Sequence, residues 1–184
     1  MKKRVLHVGC GPLAAEKLHE SFKGGDWEEV RLDINPGAHP DIVASITDMS
    51  VVPSGSFDAL YSSHNLEHLP PHEAQLALKE FYRVLRPGGY ALITLPDLRS
   101  VAAVIAAGRE EEALLMTNKG PITALDMLYG FRPFLESNPF MAHRFAYTAE
   151  TLEAALREAG FVYVSVERDD EYNLWAVVSP TALA

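Results

Sequence analysis

Short runs of apolar and β-branched residues alternate with segments of helical spacing along most of this chain. Such alternation is typical of a parallel β-sheet whose strands are connected by helices. The runs predict seven strands, at residues 5–8, 29–33, 41–44, 57–62, 90–95, 161–166 and 172–178. Only a short polar turn separates the last two runs, so we expect that final pair to be antiparallel. The pattern therefore restricts the chain to an α/β fold.

Helical spacing is clearest in three segments. We predict helices at residues 14–22, 71–86 and 148–160. In the first of them, Ala14, Leu18 and Phe22 recur at a spacing of four and form one apolar stripe. Thr148 is a suitable N-cap for the last helix. The connection 35–40 is too short for a crossover helix, and we expect an irregular turn there.

The stretch 97–147 does not fit this alternation. Within it we predict helices at residues 97–108, 109–116 and 122–128. The remainder contains two prolines and many aromatic residues and is expected to be irregular. Insertions at the carboxyl edge of a parallel sheet commonly build a substrate site. We therefore interpret residues 1–184 as one domain with a substrate-site insertion at about 97–147.

Charge and composition argue against several classes of partner. Lys and Arg number 16 against 25 Asp and Glu, which gives a net charge of -9 at pH 7. Nucleic-acid backbones attract basic surfaces, so we expect no nucleic-acid partner. No apolar run approaches the roughly 20 residues that span a bilayer, so we expect no membrane partner. The single cysteine, Cys10, cannot form an intramolecular disulfide, which favours a cytoplasmic location.

A glycine loop at residues 9–11 directly follows the first predicted strand. Glycine lets the backbone approach a ligand closely, and Asp33, at the end of the second strand, can accept hydrogen bonds from ribose hydroxyls. Together they favour a ligand that contains a nucleoside. Gly9, Gly11 and Ala14 also match the dinucleotide pattern G-x-G-x-x-A. An NAD-dependent oxidoreductase therefore remains an alternative.

Five motifs stand in the same order as in one family of enzymes. They are V-L-H-V-G-C-G at 5–11, L-D-I at 32–34, I-T-D-M at 46–49, F-D-A-L-Y-S-S-H-N-L-E-H at 57–68 and F-Y-R-V-L-R-P-G-G at 81–89. With these motifs the chain resembles the class I S-adenosylmethionine-dependent methyltransferases, most of all the small branch called type 11. The resemblance implies a Rossmann-like, doubly wound α/β fold. Its seven-stranded sheet would be mostly parallel, with an antiparallel final strand and helices on both faces.

The resemblance also implies a site for S-adenosyl-L-methionine, with S-adenosyl-L-homocysteine as the product. The implied cofactor-binding residues are Gly9, Cys10 and Gly11 along the methionine part, Asp33 at the ribose hydroxyls, Ile34 against the adenine, Asp48 (side chain) and Met49 (backbone amide) at the adenine edge, and Ser63 and His64 near the amino group and the sulfonium.

His7 departs from the family pattern. The family usually has an acidic residue at this position, and that acid helps to hold the ammonium group of the cofactor. Whether cofactor affinity is lower here, or another acid compensates, stays open. A catalytically inactive protein that binds S-adenosylmethionine is therefore a second alternative.

Methyl transfer from a sulfonium mainly requires alignment of the nucleophile, the methyl carbon and the sulfur. A base is needed only when the acceptor is a protonated amine or a hydroxyl. The candidate catalytic residues are His64, His143 and Tyr147. The acceptor is expected to be a small molecule.

Residues 64–68 match the zinc signature H-x-x-E-H. That signature requires a helix that brings both histidines to one face, but Pro70 and Pro71 follow almost at once. His72 and His143 are candidates for a third ligand, although neither is obvious from its position. We therefore expect no metal site.

The first predicted strand begins at Val5, so we expect no N-terminal extension for substrate binding. Acceptor recognition should then come from residues 97–147 or from a second subunit. A homodimer stays open on these grounds.

Overall fold

A seven-stranded sheet forms the centre of the computed structural model, which describes residues 2–14, 17–117 and 119–182. The described strands are β1 (Lys3–Val8), β2 (Trp27–Asp33), β3 (Ile42–Val43), β4 (Phe57–Ser63), β5 (Leu85–Pro96), β6 (Ala113–Thr117), β7 (Gly120–Thr123), β8 (Tyr163–Arg168) and β9 (Asn173–Ser179). The sheet has the order β3-β2-β1-β4-β5-β9-β8, and β6 pairs with β7 in a separate hairpin. Strands β1 to β5 pair in parallel, whereas β9 is antiparallel to both of its neighbours. The predicted seven-stranded sheet with an antiparallel final strand is confirmed.

The parallel register brings the ends of the central strands to one edge of the sheet. Val8 pairs with Leu32 on one side and with Ser62 on the other, and Ser63 pairs with Thr94. Open α/β sheets bind their ligands outside this carboxyl edge. The loops after β1, β2, β4 and β5 therefore define where a site can form.

Two long helices cover one face of the sheet. The described α-helices are α1 (Pro71–Val84), α2 (Leu98–Ala106), α3 (Ala124–Tyr129), α4 (Arg132–Leu135) and α5 (Ala149–Glu158), with 3-10 turns at Glu20–Phe22, Pro36–Ala38, Leu66–His68 and Pro139–Met141. Phe81 of α1 and Leu152 of α5 are fully buried in the same core as Leu6 of β1. Helices α1 and α5 thus confirm two predicted helices. In the described part of the chain, no helix is long and apolar enough to cross a membrane.

On the opposite face of the sheet, Phe22 and Trp27 are among the residues that pack on the strands, and the helix predicted over 14–22 does not form in its described residues. Residues 15–16 lie outside the described part, and the described remainder forms only the 3-10 turn Glu20–Phe22. The His19 side chain accepts a backbone N–H two residues further on, which competes with helical hydrogen bonding. Phe22 still packs in the core on this face, as its spacing indicated. The helix prediction is therefore wrong for the described residues, although the buried stripe is partly correct.

The helix predicted over 109–116 is also wrong, because β6 and β7 form a hairpin there. The Thr117 hydroxyl donates to the Gly120 carbonyl at 2.8 Å and closes the turn. Leu115 and Ile122 pack against a small core formed by α2 and α3. Packing of these apolar residues on α2 and α3 therefore outweighs the helical spacing in this segment. The neighbouring predictions are confirmed by α2 and α3.

Candidate active site

The glycine loop after β1 and the carboxylate at the end of β2 form one hydrogen-bonded unit. The Gly11 N–H donates to Asp33 Oδ2 at 2.7 Å, and the Asn35 N–H donates to Asp33 Oδ1 at 2.8 Å. Asp33 is 8% exposed. Each carboxylate oxygen can accept a second hydrogen bond, so Asp33 keeps the capacity to accept from two adjacent hydroxyls. The structure thus brings Gly11 and Asp33 together, and it adds a turn-closing role for Asp33.

Asn65 connects the ends of β1 and β4 and explains why residue 9 is a glycine. Its Nδ2 donates to the Val8 carbonyl at 3.1 Å and to the Ser63 carbonyl at 3.2 Å. A Cβ on Gly9 would lie 1.8 Å from Asn65 Oδ1, and the φ of Gly9 is +59°. Glycine avoids both the clash and the backbone strain. The loop therefore presents bare backbone at the edge of the sheet.

A buried guanidinium fixes the same loop from the side of β2. Arg31 donates to the Gly11 carbonyl at 2.5 Å and to the His39 carbonyl at 2.9 Å. Cys10 is buried, and its N–H donates to the Leu32 carbonyl at 3.2 Å. Burial raises the pKa of the Cys10 thiol, so the thiol stays protonated at neutral pH. The loop is therefore held rigidly by its own backbone hydrogen bonds, and it presents no reactive sulfur to a ligand.

The three residues expected around an adenine have different surroundings. Ile34 is 70% exposed directly after β2, which suits a side chain that packs on a ligand ring. Asp48 is also exposed, and its Oδ1 accepts the Ser50 N–H at 3.1 Å. Met49 is fully buried, and its N–H donates to Glu80 Oε2 at 2.7 Å. An amide has a single hydrogen, and that of Met49 is engaged by Glu80, so it is not free to bind an adenine. Ile34 and Asp48 keep exposed side chains.

His64 follows Ser63 at the end of β4 in a strained backbone conformation. Its φ is +54°, in the left-handed region, and strain of this kind concentrates at functional sites. The His64 N–H donates to the Thr94 carbonyl at 2.9 Å, and its Nδ1 lies 3.2 Å from Glu67 Oε1. Desolvation lowers the pKa of His64, but the hydrogen bond and the charge of Glu67 outweigh it and raise the pKa above its ordinary value.

His7 stands where the family has an acid, but it contacts a carboxylate on the next strand. Its Nδ1 lies 2.7 Å from Glu29 Oε1, and both side chains are largely buried. Burial lowers the pKa of His7, although Glu29 opposes the shift. The imidazole is therefore neutral at neutral pH, and Glu29 places a carboxylate beside the position that lacks its acid.

Glu67 gathers histidines from two distant parts of the chain. Glu67 is 1% exposed. One of its oxygens, one ring nitrogen of His68 and one ring nitrogen of His143 all lie within 4.8 Å of one another. The Glu67 carbonyl accepts the Arg144 N–H at 2.7 Å, so the insertion docks against this turn. Burial raises the pKa of Glu67, but His64, His68 and His143 together lower it below its ordinary value. The structure thus brings His64 and His143 to one ionised carboxylate.

Tyr147 lies near the same carboxylate but does not suit the role of a base. Its side chain is 4% exposed, and burial, with the charge of Glu67, raises its pKa to about 12. The phenol therefore stays protonated at neutral pH, where it can donate a hydrogen bond but cannot take up a proton. The Tyr147 carbonyl accepts the Leu98 N–H at 2.8 Å, which ties the insertion to α2. Among the candidate bases, His64 and His143 keep a suitable ionisation.

Comparison with known proteins bears directly on this edge of the sheet. Residues 6–93 match the family described as a methyltransferase domain. This segment, just under half of the chain, therefore resembles a methyltransferase domain. The matched segment includes the glycine loop, Asp33 and the run 64–68, so the residues that line the carboxyl edge before the insertion all lie within the match.

Solved structures share the fold of this chain along nearly its whole length. A SAM-dependent methyltransferase from Archaeoglobus fulgidus is 19% identical with a TM-score of 0.64, over 96% of this chain and 86% of that one. A protein from Pyrococcus horikoshii is 18% identical with a TM-score of 0.66, over 98% and 83%. A SAM-dependent methyltransferase from Methanosarcina mazei is 19% identical with a TM-score of 0.60, over 97% and 92%. At these identities the likeness establishes the fold. No curated protein matches the chain by sequence.

Several residues that shape the candidate site were missed from the sequence. Asn65 contacts the carbonyl of a residue 57 positions away, and no local pattern signals that contact. The engagement of Met49 by Glu80 and Arg83 was also missed, although the two partners stand at helical i, i+3 spacing. Glu67 lay within the H-x-x-E-H match, which was the available signal for it.

Proposed function

We propose that this protein is an S-adenosyl-L-methionine-dependent methyltransferase that transfers a methyl group to a small-molecule acceptor. The pairing of Asp33 with the glycine loop carries the proposal, since it places a ribose-binding carboxylate against bare backbone inside the methyltransferase domain. S-adenosyl-L-methionine is the methyl donor, and S-adenosyl-L-homocysteine is the product.

The cofactor lies across the carboxyl ends of β1, β2 and β4 in this proposal. Asp33 accepts from the ribose hydroxyls, while the exposed Ile34 packs on the adenine. The methionine part follows the loop 9–11 toward Ser63. Glu29 compensates for the acid that His7 replaces, because it supplies a carboxylate at 2.7 Å from that imidazole.

The reaction is an in-line displacement at the methyl carbon. A lone pair of the acceptor forms the new bond while the carbon–sulfur bond breaks and its electrons remain on sulfur. The leaving group is a neutral thioether, so alignment of the three reacting atoms is the main requirement of the protein. Where the acceptor must lose a proton, His64 and His143 are the titratable groups at this edge.

The acceptor is recognised by residues 97–147 of the same domain. The hydrogen bond from the Arg144 N–H to the Glu67 carbonyl supports this assignment, because it holds the insertion against the turn that follows β4. A net charge of -9 disfavours nucleic acid as the acceptor. The buried Cys10 thiol is compatible with a reducing cytoplasm.

Calorimetric titration with S-adenosyl-L-homocysteine tests the cofactor site. Asp33→Ala should weaken binding more than about 100-fold, because hydrogen bonds that involve a charged group contribute about 1.5–3 kcal/mol each. Asp41→Ala is the matched control. Asp41 also accepts a backbone N–H of β2, from Arg31 at 2.8 Å, but it does not contact the glycine loop. The control should bind like the wild type.

Equal affinity of Asp33→Ala and the wild type would refute the assigned site. Thermal stabilisation by NADH, with none by S-adenosyl-L-homocysteine, would instead identify an oxidoreductase. Binding of S-adenosyl-L-homocysteine without transfer of a labelled methyl group to any fraction of a small-molecule extract would identify an inactive binder.

A further inference from the structure

Glu67 places a buried carboxylate where one oxygen lacks a protein partner. Its Oε1 contacts His64 Nδ1 at 3.2 Å, whereas Oε2 is buried and receives no hydrogen bond from any residue that the structure describes. A buried carboxylate oxygen of this kind is destabilising unless a donor or a cation completes it. We propose that Glu67, His68 and His143 form a binding site for a divalent transition-metal ion such as Zn²⁺.

The two imidazoles are oriented as metal ligands commonly are. His143 Nδ1 lies 2.8 Å from the Met127 carbonyl, and His68 Nδ1 lies 3.3 Å from the Ala142 carbonyl. A carbonyl oxygen only accepts, so in each neutral ring Nδ1 carries the hydrogen and Nε2 keeps its lone pair. Backbone carbonyls that hold the second ring nitrogen in this way are typical of metal-bound histidines.

The spacing of the donor atoms suits an ion of this size. The three donors lie within 4.8 Å of one another, and the two histidine rings are 4.9 Å apart between centroids. Zn²⁺ holds nitrogen and oxygen ligands at about 2.0–2.2 Å, so tetrahedral ligands lie about 3.4 Å apart and the donors need to close by at most about 1.4 Å on binding. Two imidazoles and one carboxylate also leave a coordination position open, as catalytic zinc sites do. Imidazole ligands favour Zn²⁺ and Co²⁺ over Mg²⁺.

This ligand set differs from the one that the H-x-x-E-H signature describes. On a helix, His64 and His68 would bind the ion together. Here the 3-10 turn Leu66–His68 directs His64 to Glu67 instead, and the insertion supplies His143. Pro70 and Pro71, which in the sequence argued against a metal site, exclude only a helix that would bring His64 and His68 to one face.

An ion at this place points to an acceptor that carries a hydroxyl group. A metal-bound hydroxyl has a lowered pKa, so it can lose its proton to solvent and present an oxygen lone pair to the methyl carbon. The oxygen–carbon bond then forms, the carbon–sulfur bond breaks, and the products are a methyl ether and S-adenosyl-L-homocysteine. This role rests on the proposed function, whereas binding of the ion does not.

Titration of the full chain, freed of metal with a chelator, tests the site. The wild type should bind one equivalent of Zn²⁺ or Co²⁺ in calorimetry, and Mg²⁺ should bind more weakly. Glu67→Gln and His143→Ala should each weaken binding at least about 100-fold, since loss of an outer-sphere partner alone reduces affinity about 10–100-fold. His72→Ala is the matched control, because its side chain is 79% exposed and lies outside the cluster. Its affinity should equal that of the wild type.

The visible spectrum of bound Co²⁺ provides a second readout. Oxygen and nitrogen ligands should give d–d bands without the strong thiolate band, which excludes Cys10 as the ligand. Circular dichroism confirms that each variant is folded, and His68→Ala replaces any variant that is not. No saturable binding to the wild type, or wild-type affinity in the ligand variants, would overturn the proposal.

Titration of the same preparations with S-adenosyl-L-homocysteine separates this proposal from the proposed function. Wild-type protein that binds S-adenosyl-L-homocysteine but no Zn²⁺ refutes the metal site alone. Wild-type protein that binds Zn²⁺ through these ligands but no S-adenosyl-L-homocysteine supports the metal site and refutes the proposed cofactor.

Discussion

The two halves of the carboxyl edge are held in different ways. On the β1–β2 side, Gly11 is fixed by Asp33 and Arg31, which are 22 and 20 residues away along the chain. On the β4 side, His68 contacts the carbonyl of a residue 74 positions away, in the insertion. The β1–β2 half is held by contacts between two neighbouring strands and their loops. In the β4 half, the side chains of Glu67, His68 and His143 meet only when the insertion docks. In the proposed function the first half binds the cofactor and the second half faces the acceptor, and we name them the cofactor side and the acceptor side.

The insertion also has a small core of its own. Val101 and Val104 of α2 pack with Ala124 and Met127 of α3, apart from the main core that α1 and α5 build on the sheet. Segments with few buried contacts open at lower free energy than the global fold. We therefore expect some substitutions in the insertion to destabilise the acceptor side alone. Substitutions that destabilise the cofactor side should destabilise both halves.

Gly9→Ala should give the largest effect on stability, because Gly9 lies against Asn65, the residue that connects the two halves. The new Cβ would lie 1.8 Å from Asn65 Oδ1 at a φ of +59°. Left-handed strain of about 1–2 kcal/mol adds to the loss of Asn65 hydrogen bonds of about 0.5–1.5 kcal/mol each. We expect the free energy of unfolding to fall by about 2–5 kcal/mol in urea titrations, with loss of cofactor binding.

Gly25→Ala is the control for that substitution. Its Cβ would meet nothing within 4 Å, and its φ lies outside the left-handed range. Its unfolding free energy should stay close to that of the wild type. If Gly9→Ala were as stable as the wild type, the loop would accommodate a side chain at residue 9, and the described contacts of Asn65 would not fix its conformation.

Arg132→Ala should give a smaller effect that stays on the acceptor side. Arg132 Nε donates to Asp126 Oδ1 at 2.9 Å, and its Nη2 donates to Glu111 at 2.8 Å. Asp126 is buried, and its pKa is lowered to about 2, mainly by hydrogen bonds from Arg132 and Thr123 that outweigh desolvation. Removal of the guanidinium leaves that carboxylate underpaired, which costs about 1–3 kcal/mol.

Urea titration measures that loss, and hydrogen exchange should show faster exchange in the segment 97–147 with little change in β1 and β2. The affinity for S-adenosyl-L-homocysteine should match the wild type. Arg157→Ala is the control, because Arg157 forms an exposed ion pair with Glu153 on α5, and such pairs contribute about 0.3–0.5 kcal/mol. Faster exchange throughout the sheet after Arg132→Ala would show that the two halves are not separable.

The same division explains what the sequence could predict. Strand and glycine-loop positions follow from local patterns, so the sheet and the proximity of Gly11 to Asp33 were predictable. The helices expected over 14–22 and 109–116 failed because contacts made by His19 and by the hairpin override the helical spacing. On the acceptor side, the approach of His143 to Glu67 depends on how the insertion docks, and no periodic pattern encodes that contact.

His7 and Glu29 place a titratable pair on the cofactor side, and its pH dependence sharpens the comparison further. Burial lowers the pKa of His7, so below about pH 6.5 the unfolded chain binds a proton that the folded protein does not. Stability should therefore fall as the pH drops below that value, by no more than about 1.4 kcal/mol per pH unit for this one proton.

His7→Asn removes the titratable group, while the asparagine amide can still donate to Glu29. Urea titrations across this range should show a shallower pH dependence in the variant and similar stability at higher pH. Parallel profiles would mean that His7 takes up its proton equally in the folded and unfolded states, which would contradict a neutral His7 imidazole in the folded protein.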